Sequence, residues 1–131
     1  MQMRLDGQEP EVTRIIIAGS RNMTDYGLMK KTWADYLKRH GLEANEIHII
    51  SGGAPGADSL AERLAKEERI AITVFKADWK KHGRAAGPIR NRAMAENADA
   101  LLAFLQENSK GTANMVQQAK KHGLDVTIIN I

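Results

Sequence analysis

Three short stretches of this chain combine glycine, small hydroxyl and cationic residues in a way suited to holding an anion. Gly19-Ser20-Arg21 follows one apolar run and Ser51-Gly52-Gly53-Ala54-Pro55-Gly56-Ala57-Asp58 follows another. Asn108-Ser109-Lys110-Gly111-Thr112 opens a helical pattern near the end of the chain. Glycine adopts positive φ and lets the backbone approach a ligand closely. Where such a loop opens a helix, free N–H groups and the positive end of the helix dipole attract phosphate. The 51–58 loop is neither a Walker A loop nor G-x-G-x-x-G, because it lacks the lysine-hydroxyl ending and that glycine spacing. Its plain alternative is a tight strand-to-helix turn with no ligand. Asp58 either complements the helix dipole or accepts a hydrogen bond from a ribose hydroxyl. Ser20 and Arg21 suit a phosphate or sugar, with an exposed Arg21 on a simple turn as the alternative. Ser109 or Thr112 can cap its helix with no ligand involved.

The Lys76–Met94 segment, KADWKKHGRAAGPIRNRAM, gathers Asp78, Trp79, His82, Arg84, Arg90, Asn91 and Arg92 around two glycines. Trp79 can stack on a base, and Asp78 can bind a ribose or a ring nitrogen. Arginine forks onto phosphate oxygens. Arg90 and Arg92 lie two apart and face different ways on a regular helix. At most one is expected to reach a ligand directly, with the other free to pair with an acid. His82 invites a general-base role, but in a lysine-rich loop a solvated side chain is the ordinary outcome.

These loops need elements to position them. Arg14–Ala18 is a short unbroken apolar run, the pattern of a strand buried on both faces. Further strands are expected at Ile47–Ile50, Ala71–Phe75, Ala100–Phe104 and Val126–Ile129. Helical spacing runs from about Thr24 to Arg39, through Ala57–Ala65, from Pro88 to about Asn97, and from Thr112 to His122. Gly41 and Gly123 punctuate two helix ends. Lys76 to Gly87 reads as a long polar connection, too long for a simple turn. The β-α alternation predicts a Rossmann-like α/β fold, doubly wound, with a mostly parallel five-stranded sheet and helices on both faces. Such sheets bind ligands outside the carboxyl ends of the strands, where these loops fall.

The chain has 131 residues, one domain's worth. Residues 1–12 are polar and aperiodic and read as a loose arm before a single domain over 13–131. With no cysteine, thiol nucleophiles and cysteine-based zinc sites are excluded. No apolar run approaches the roughly 18 residues of a membrane span, so no membrane partner and a cytoplasmic location are expected. The net charge is +3, dispersed beside acids, and only 5% of residues are aromatic. Dedicated nucleic-acid binders more often carry a basic stripe.

GSR after the first strand, SGGAPGAD after the second, ADW…GRAAGPIRNRAMAE after the third and SKGT after the fourth resemble the YspA-like branch of the SLOG superfamily. Its wider relatives include the LOG phosphoribohydrolases and the DNA-processing protein A family. The resemblance runs from about Arg14 to Ile131. It implies glycine loops holding a nucleotide or nucleotide-derived ligand, in a sensor or processor of such compounds. The phosphate is expected on Gly52–Ala57 and the following helix start. Gly19–Arg21 and Ser109–Thr112 would flank it, with Trp79 and Arg90 closing over it. LOG-type enzymes carry a GTxxE-like glutamate, whereas this chain has Gly111-Thr112 followed by Asn114 and Met115. Glycosidic cleavage wants a carboxylate near the sugar, leaving Asp58 or Asp78 as substitutes. The leading expectation is a binding module. The alternatives are a phosphoribohydrolase-type enzyme and a single-stranded DNA-associated protein. No cofactor is required; Mg²⁺ is expected only alongside a phosphate, since no tight ligand cluster is present. A homodimer is compatible with the wider relatives.

Overall fold

A computed structural model describes residues 12–131 of the chain. The arm expected over residues 1–12 lies, apart from Val12, outside the described residues. The elements follow in order: β1 (Thr13–Gly19), α1 (Tyr26–His40), β2 (Ile47–Ser51), α2 (Ala57–Glu68), β3 (Ala71–Val74), α3 (Trp79–His82), α4 (Ala86–Glu96), β4 (Ala100–Leu105), α5 (Lys110–Lys121) and β5 (Asp125–Asn130). All four strand pairings are parallel, in the order β3-β2-β1-β4-β5.

The apolar run of β1 is central, and Ile15, Ile16 and Ile17 are fully buried. Alternation along the strand divides the core in two. Ile15 and Ile17 pack with Met29, Trp33 and Tyr36 of α1 and with Ala61, Leu64 and Ala65 of α2. Ile16 and Ala18 pack on the opposite face with Met94 of α4 and Met115, Val116 and Ala119 of α5. Each buried isoleucine contributes about 1.5–3 kcal/mol by leaving water. The edge strands β3 and β5 contain no fully buried residue, because each has only one neighbour.

Three local differences from the sequence reading bear on the site. The 76–87 connection is partly ordered: Asp78 caps α3 by accepting from Lys81 N at 3.1 Å, and a 3₁₀ turn spans Gly83–Ala85. Helix α4 starts at Ala86, with Pro88 inside its first turn, where a missing N–H leaves no helical bond unmade. Helix α5 starts at Lys110, two residues before the expected Thr112, which brings Lys110 and Gly111 into its first turn.

Candidate functional site

The strand order reverses between β1 and β4. β2 and β3 lie to one side of that point and β5 to the other. The two loops leaving this switch point are stapled together. Ser20 N donates to Phe104 O at 3.1 Å, and Ser20 Oγ donates to Gln106 Oε1 at 2.5 Å. Ser20 O accepts from Ala57 N at 3.0 Å, which seats the start of α2 against the first loop. Gly56 makes this contact possible: it has φ +79°, and a Cβ there would lie 2.3 Å from Ser20 O.

Above the switch point lies a cleft of about 680 Å³. One wall is Gly19–Asn22, another is the segment from Trp79 through Arg84, Gly87 and Arg90 to Met94, and the third is Gln106–Met115. Ala54 and Asp58 form part of its floor. Among the described residues, the buried polar or charged ones are Ser20, Ser51, Asp58, Asn91 and Thr112, all at this end of the sheet. Polar groups are costly to bury in a core, so their concentration sets this end of the sheet apart from the apolar core.

A chain of hydrogen bonds crosses the floor. Arg90 Nη1 donates to Gly52 O at 2.6 Å and Arg90 Nε to Asn91 Oδ1 at 2.9 Å. Asn91 Nδ2 donates to Gly111 O at 3.3 Å and Asn114 Oδ1 at 3.0 Å. Helix α4 thereby ties the β2 loop to the first turn of α5. Gly52 leaves room for Arg90, since a Cβ there would sit 2.8 Å from Arg90 Nη1 and 3.0 Å from Asp58 Oδ2 and would displace the guanidinium. Asp58 Oδ2 accepts from Ala54 N at 3.1 Å. Burial pushes the Asp58 carboxyl up to about 6, against the pull of the Ala54 N–H and of the Arg90 and Arg21 guanidiniums. Burial also lowers the pKa of Arg90; Asp58 opposes that shift and Arg21 adds to it.

Helix α5 has no side-chain cap, because Ser109 Oγ donates to Thr112 Oγ1 at 2.8 Å instead of accepting from a backbone N–H. Its open first turn borders the cleft. Four cationic side chains line the cleft, Arg21, Arg84, Arg90 and Lys110, against two carboxylates, Asp58 and Glu107. Trp79 lies on the rim, 51% exposed, with the Arg21 guanidinium 5.9 Å above its ring.

The residues singled out in the sequence divide in two. Gly19, Ser20, Arg21, Ala54, Asp58, Trp79, Arg90, Asn91, Ser109, Gly111 and Thr112 line the cleft. Ser51, Gly52, Gly53, Gly56, Ala57 and Asp78 do not. Ser51 is buried beneath its loop, accepting from Gly53 N at 3.3 Å. Gly53 turns toward β3, where a Cβ would meet Val74 Cγ1 at 2.8 Å. Gly56 and Ala57 face the first loop, and the Asp78 carboxylate is engaged as the α3 cap. The glycines of the loop after β2 therefore pack against their neighbours, and the loop reaches the cleft only through Ala54 and Asp58. Arg92 points away and pairs with Glu96 at 3.2 Å. The sequence reading missed Asn22, Gln106 and Glu107 and gave Asn114 no ligand role. All four line the cleft, and only their position beside the loops already noted could have flagged them.

A family model described as the YspA, cpYpsA-related SLOG family matches residues 13–82. The chain belongs to that family. The gene 61 protein of Mycobacterium phage D29 is 37% identical over 121 residues, covering 86% of this chain and 93% of that protein. The SLOG fold is shared with solved structures. DNA processing protein A from Streptococcus pneumoniae superposes with a TM-score of 0.69 at 18% identity, covering 89% of this chain and 50% of that one. The Helicobacter pylori DNA processing protein A, described for its single-stranded DNA binding mode, superposes with a TM-score of 0.66 at 18% identity, covering 90% of this chain and 65% of that one. This SLOG chain thus spans about half to two thirds of those proteins. No helix among its described residues is long and apolar enough to cross a membrane.

Proposed function

We propose that this SLOG protein is a binding or sensing module for a nucleotide-derived, phosphate-bearing ligand held in the switch-point cleft. One observation carries the reading: an uncapped helix start and four cations border the same 680 Å³ cleft. That volume falls within the usual range of small-molecule sites. An open helix start favours an anion. The phosphate occupies the first turn of α5, with Arg21 and Lys110 as countercharges, and any Mg²⁺ enters only with it. This differs from the arrangement expected from the sequence, because the N–H groups of Gly53, Ala54 and Ala57 are already engaged. The buried Asp58 carboxylate is suited to receive a sugar hydroxyl. Binding without turnover is favoured because α5 presents Asn114 and Met115 where glycosidic cleavage would want an acid.

Thermal denaturation in the presence of nucleoside mono- and diphosphates, cyclic nucleotides and ADP-ribose, with and without Mg²⁺, tests this. A ligand at a hundred times its Kd adds about 2.7 kcal/mol and raises Tm by several degrees. The double variant R21A/K110A, changed at two exposed positions, should fold normally and lose that shift. No shift of the wild-type protein with any phosphate-bearing compound at millimolar concentration would refute the reading. Release of free base from a bound nucleotide would instead establish an enzyme.

A second reading is single-stranded DNA, as in the Helicobacter pylori relative. It is favoured by the exposed Trp79, flanked by Lys76, Lys80, Lys81 and Arg84 on one exposed segment. Cations tracking a backbone beside a stacking aromatic are the usual means of holding single strands. Fluorescence anisotropy of a labelled oligo(dT) would show tight binding that weakens steeply with salt. Binding no tighter than that of a mononucleotide would dismiss it.

A further inference from the structure

Resting on the cleft being an anion site, we infer that its other end reads an aromatic base. Trp79 is the stacking platform, and Arg21 leaves its ring as the ligand arrives.

The two tryptophans of the chain are in opposite situations. Trp33 is 3% exposed in the core between α1 and the sheet, whereas Trp79 is 51% exposed. A large aromatic held open to water is the informative case, because packing does not account for it. Trp79 is also the one aromatic side chain among the residues lining the cleft. Its backbone is held by Asp78, which caps α3, and the Cη2 edge of the indole approaches Gly87, where a Cβ would stand 3.5 Å from it. Gly87 is itself buried in the first turn of α4, so this edge of the ring borders ordered backbone.

One face of the indole carries the Arg21 guanidinium, 5.9 Å from the ring centroid. Arg21 comes from the loop after β1 and Trp79 from the segment after β3, so the pair bridges two walls of the cleft mouth. A cation over an exposed ring is a weak, replaceable contact. A nucleobase is a better occupant of that face, since base–aromatic stacking is worth more than an exposed cation–π pair. Arg21 is then released toward the phosphate. One ligand thus satisfies two groups that in the free protein satisfy each other. The ligand class that fits is a base joined to a phosphate through a sugar. Ribose 5-phosphate or inorganic phosphate alone would leave Arg21 divided between two partners.

Titration calorimetry and indole emission, with AMP, GMP, CMP and UMP set against ribose 5-phosphate, test the assignment. The difference between wild-type and W79F emission isolates Trp79, with the buried Trp33 as a common background. At least one nucleotide should bind the wild type about tenfold or more tighter than ribose 5-phosphate and quench Trp79 at saturation. Replacing Trp79 by Ala should remove that advantage while leaving ribose 5-phosphate affinity within about twofold, and W79F, which keeps a flat ring, should restore most of it. R21A should weaken both nucleotide and ribose 5-phosphate binding, the nucleotide more, but still permit full quenching. Equal binding of nucleotides and ribose 5-phosphate, or an advantage that survives W79A, would overturn the platform while leaving the anion site standing. Binding of neither would overturn the platform, and the anion site with it if the wider set of phosphate compounds also gives no thermal shift.

Discussion

Replacing Asp58 by Asn should stabilise the protein at neutral pH, and that gain should vanish or turn into a small loss near pH 4. Asp58 is 6% exposed, and burial raises its carboxyl from an ordinary 3.8 to about 6. A shift of about two units corresponds to roughly 3 kcal/mol between the two protonation states. The sign follows from linkage. Between pH 3.8 and about 6 the folded state holds this proton and the unfolded state releases it. The stability contributed by Asp58 therefore rises as pH falls through that window. Above pH 6 the ionised carboxylate lowers stability by its full amount. Asn carries no charge, and its carbonyl can still accept from Ala54 N. Its amide group needs a partner of its own, which reduces the gain to about 1–3 kcal/mol at pH 7. For a domain of this length that is a Tm increase of roughly 3–12 °C. Urea denaturation of wild type and D58N at half-unit steps from pH 4 to pH 7.5, in phosphate-free buffer, reads the difference directly. Other titrating groups cancel in the subtraction. A D58N protein no more stable at pH 7, or a gain that does not shrink toward pH 4, would refute the reasoning. A gain in stability with loss of ligand affinity would show a buried charge retained for binding, the usual conflict between stability and function.

Other substitutions probe the floor and hinges of the cleft. Arg90→Lys keeps the charge but cannot span Gly52 O and Asn91 Oδ1 together; it should lose about 1–2 kcal/mol in urea denaturation and weaken nucleotide binding, and unchanged affinity would remove Arg90 from the site. Asn91→Ala strips a buried donor from Gly111 O and Asn114 Oδ1, so about 1–3 kcal/mol of stability should go, along with ligand affinity lost through a loosened α5 start; calorimetry on the folded variant separates the two effects. Gly56→Ala combines φ +79° with a Cβ 2.3 Å from Ser20 O and should cost roughly 2–4 kcal/mol; a wild-type melting curve would mean the two loops are not packed as described.

The alternation of strands and helices was legible because its signals are local. Ile15, Ile16 and Ile17 are contiguous, Ala57, Ala61, Leu64 and Ala65 repeat at helical spacing, and Gly41 and Gly123 stand where α1 and α5 end. The likeness of the motifs to SLOG proteins was legible for the same reason. Boundaries were less so: Asp78 as a cap and α5 beginning at Lys110 depend on hydrogen bonds that adjacent residues also have the chemistry to make. That one of Arg90 and Arg92 would turn inward followed from helical periodicity, but periodicity does not say which. The site itself was decided by tertiary structure. Strand order β3-β2-β1-β4-β5 sets β1 beside β4, so Ser20 meets Gln106 across 86 residues of chain and the cleft opens between their loops. The 51–58 loop has the strongest local anion signature, yet it borders that opening only through Ala54 and Asp58, while its glycines pack against neighbouring segments. A loop's composition states what its backbone is able to bind. Whether its N–H groups face a cavity or a neighbouring carbonyl depends on which strands pair, and pairing is settled by burial over the whole sheet.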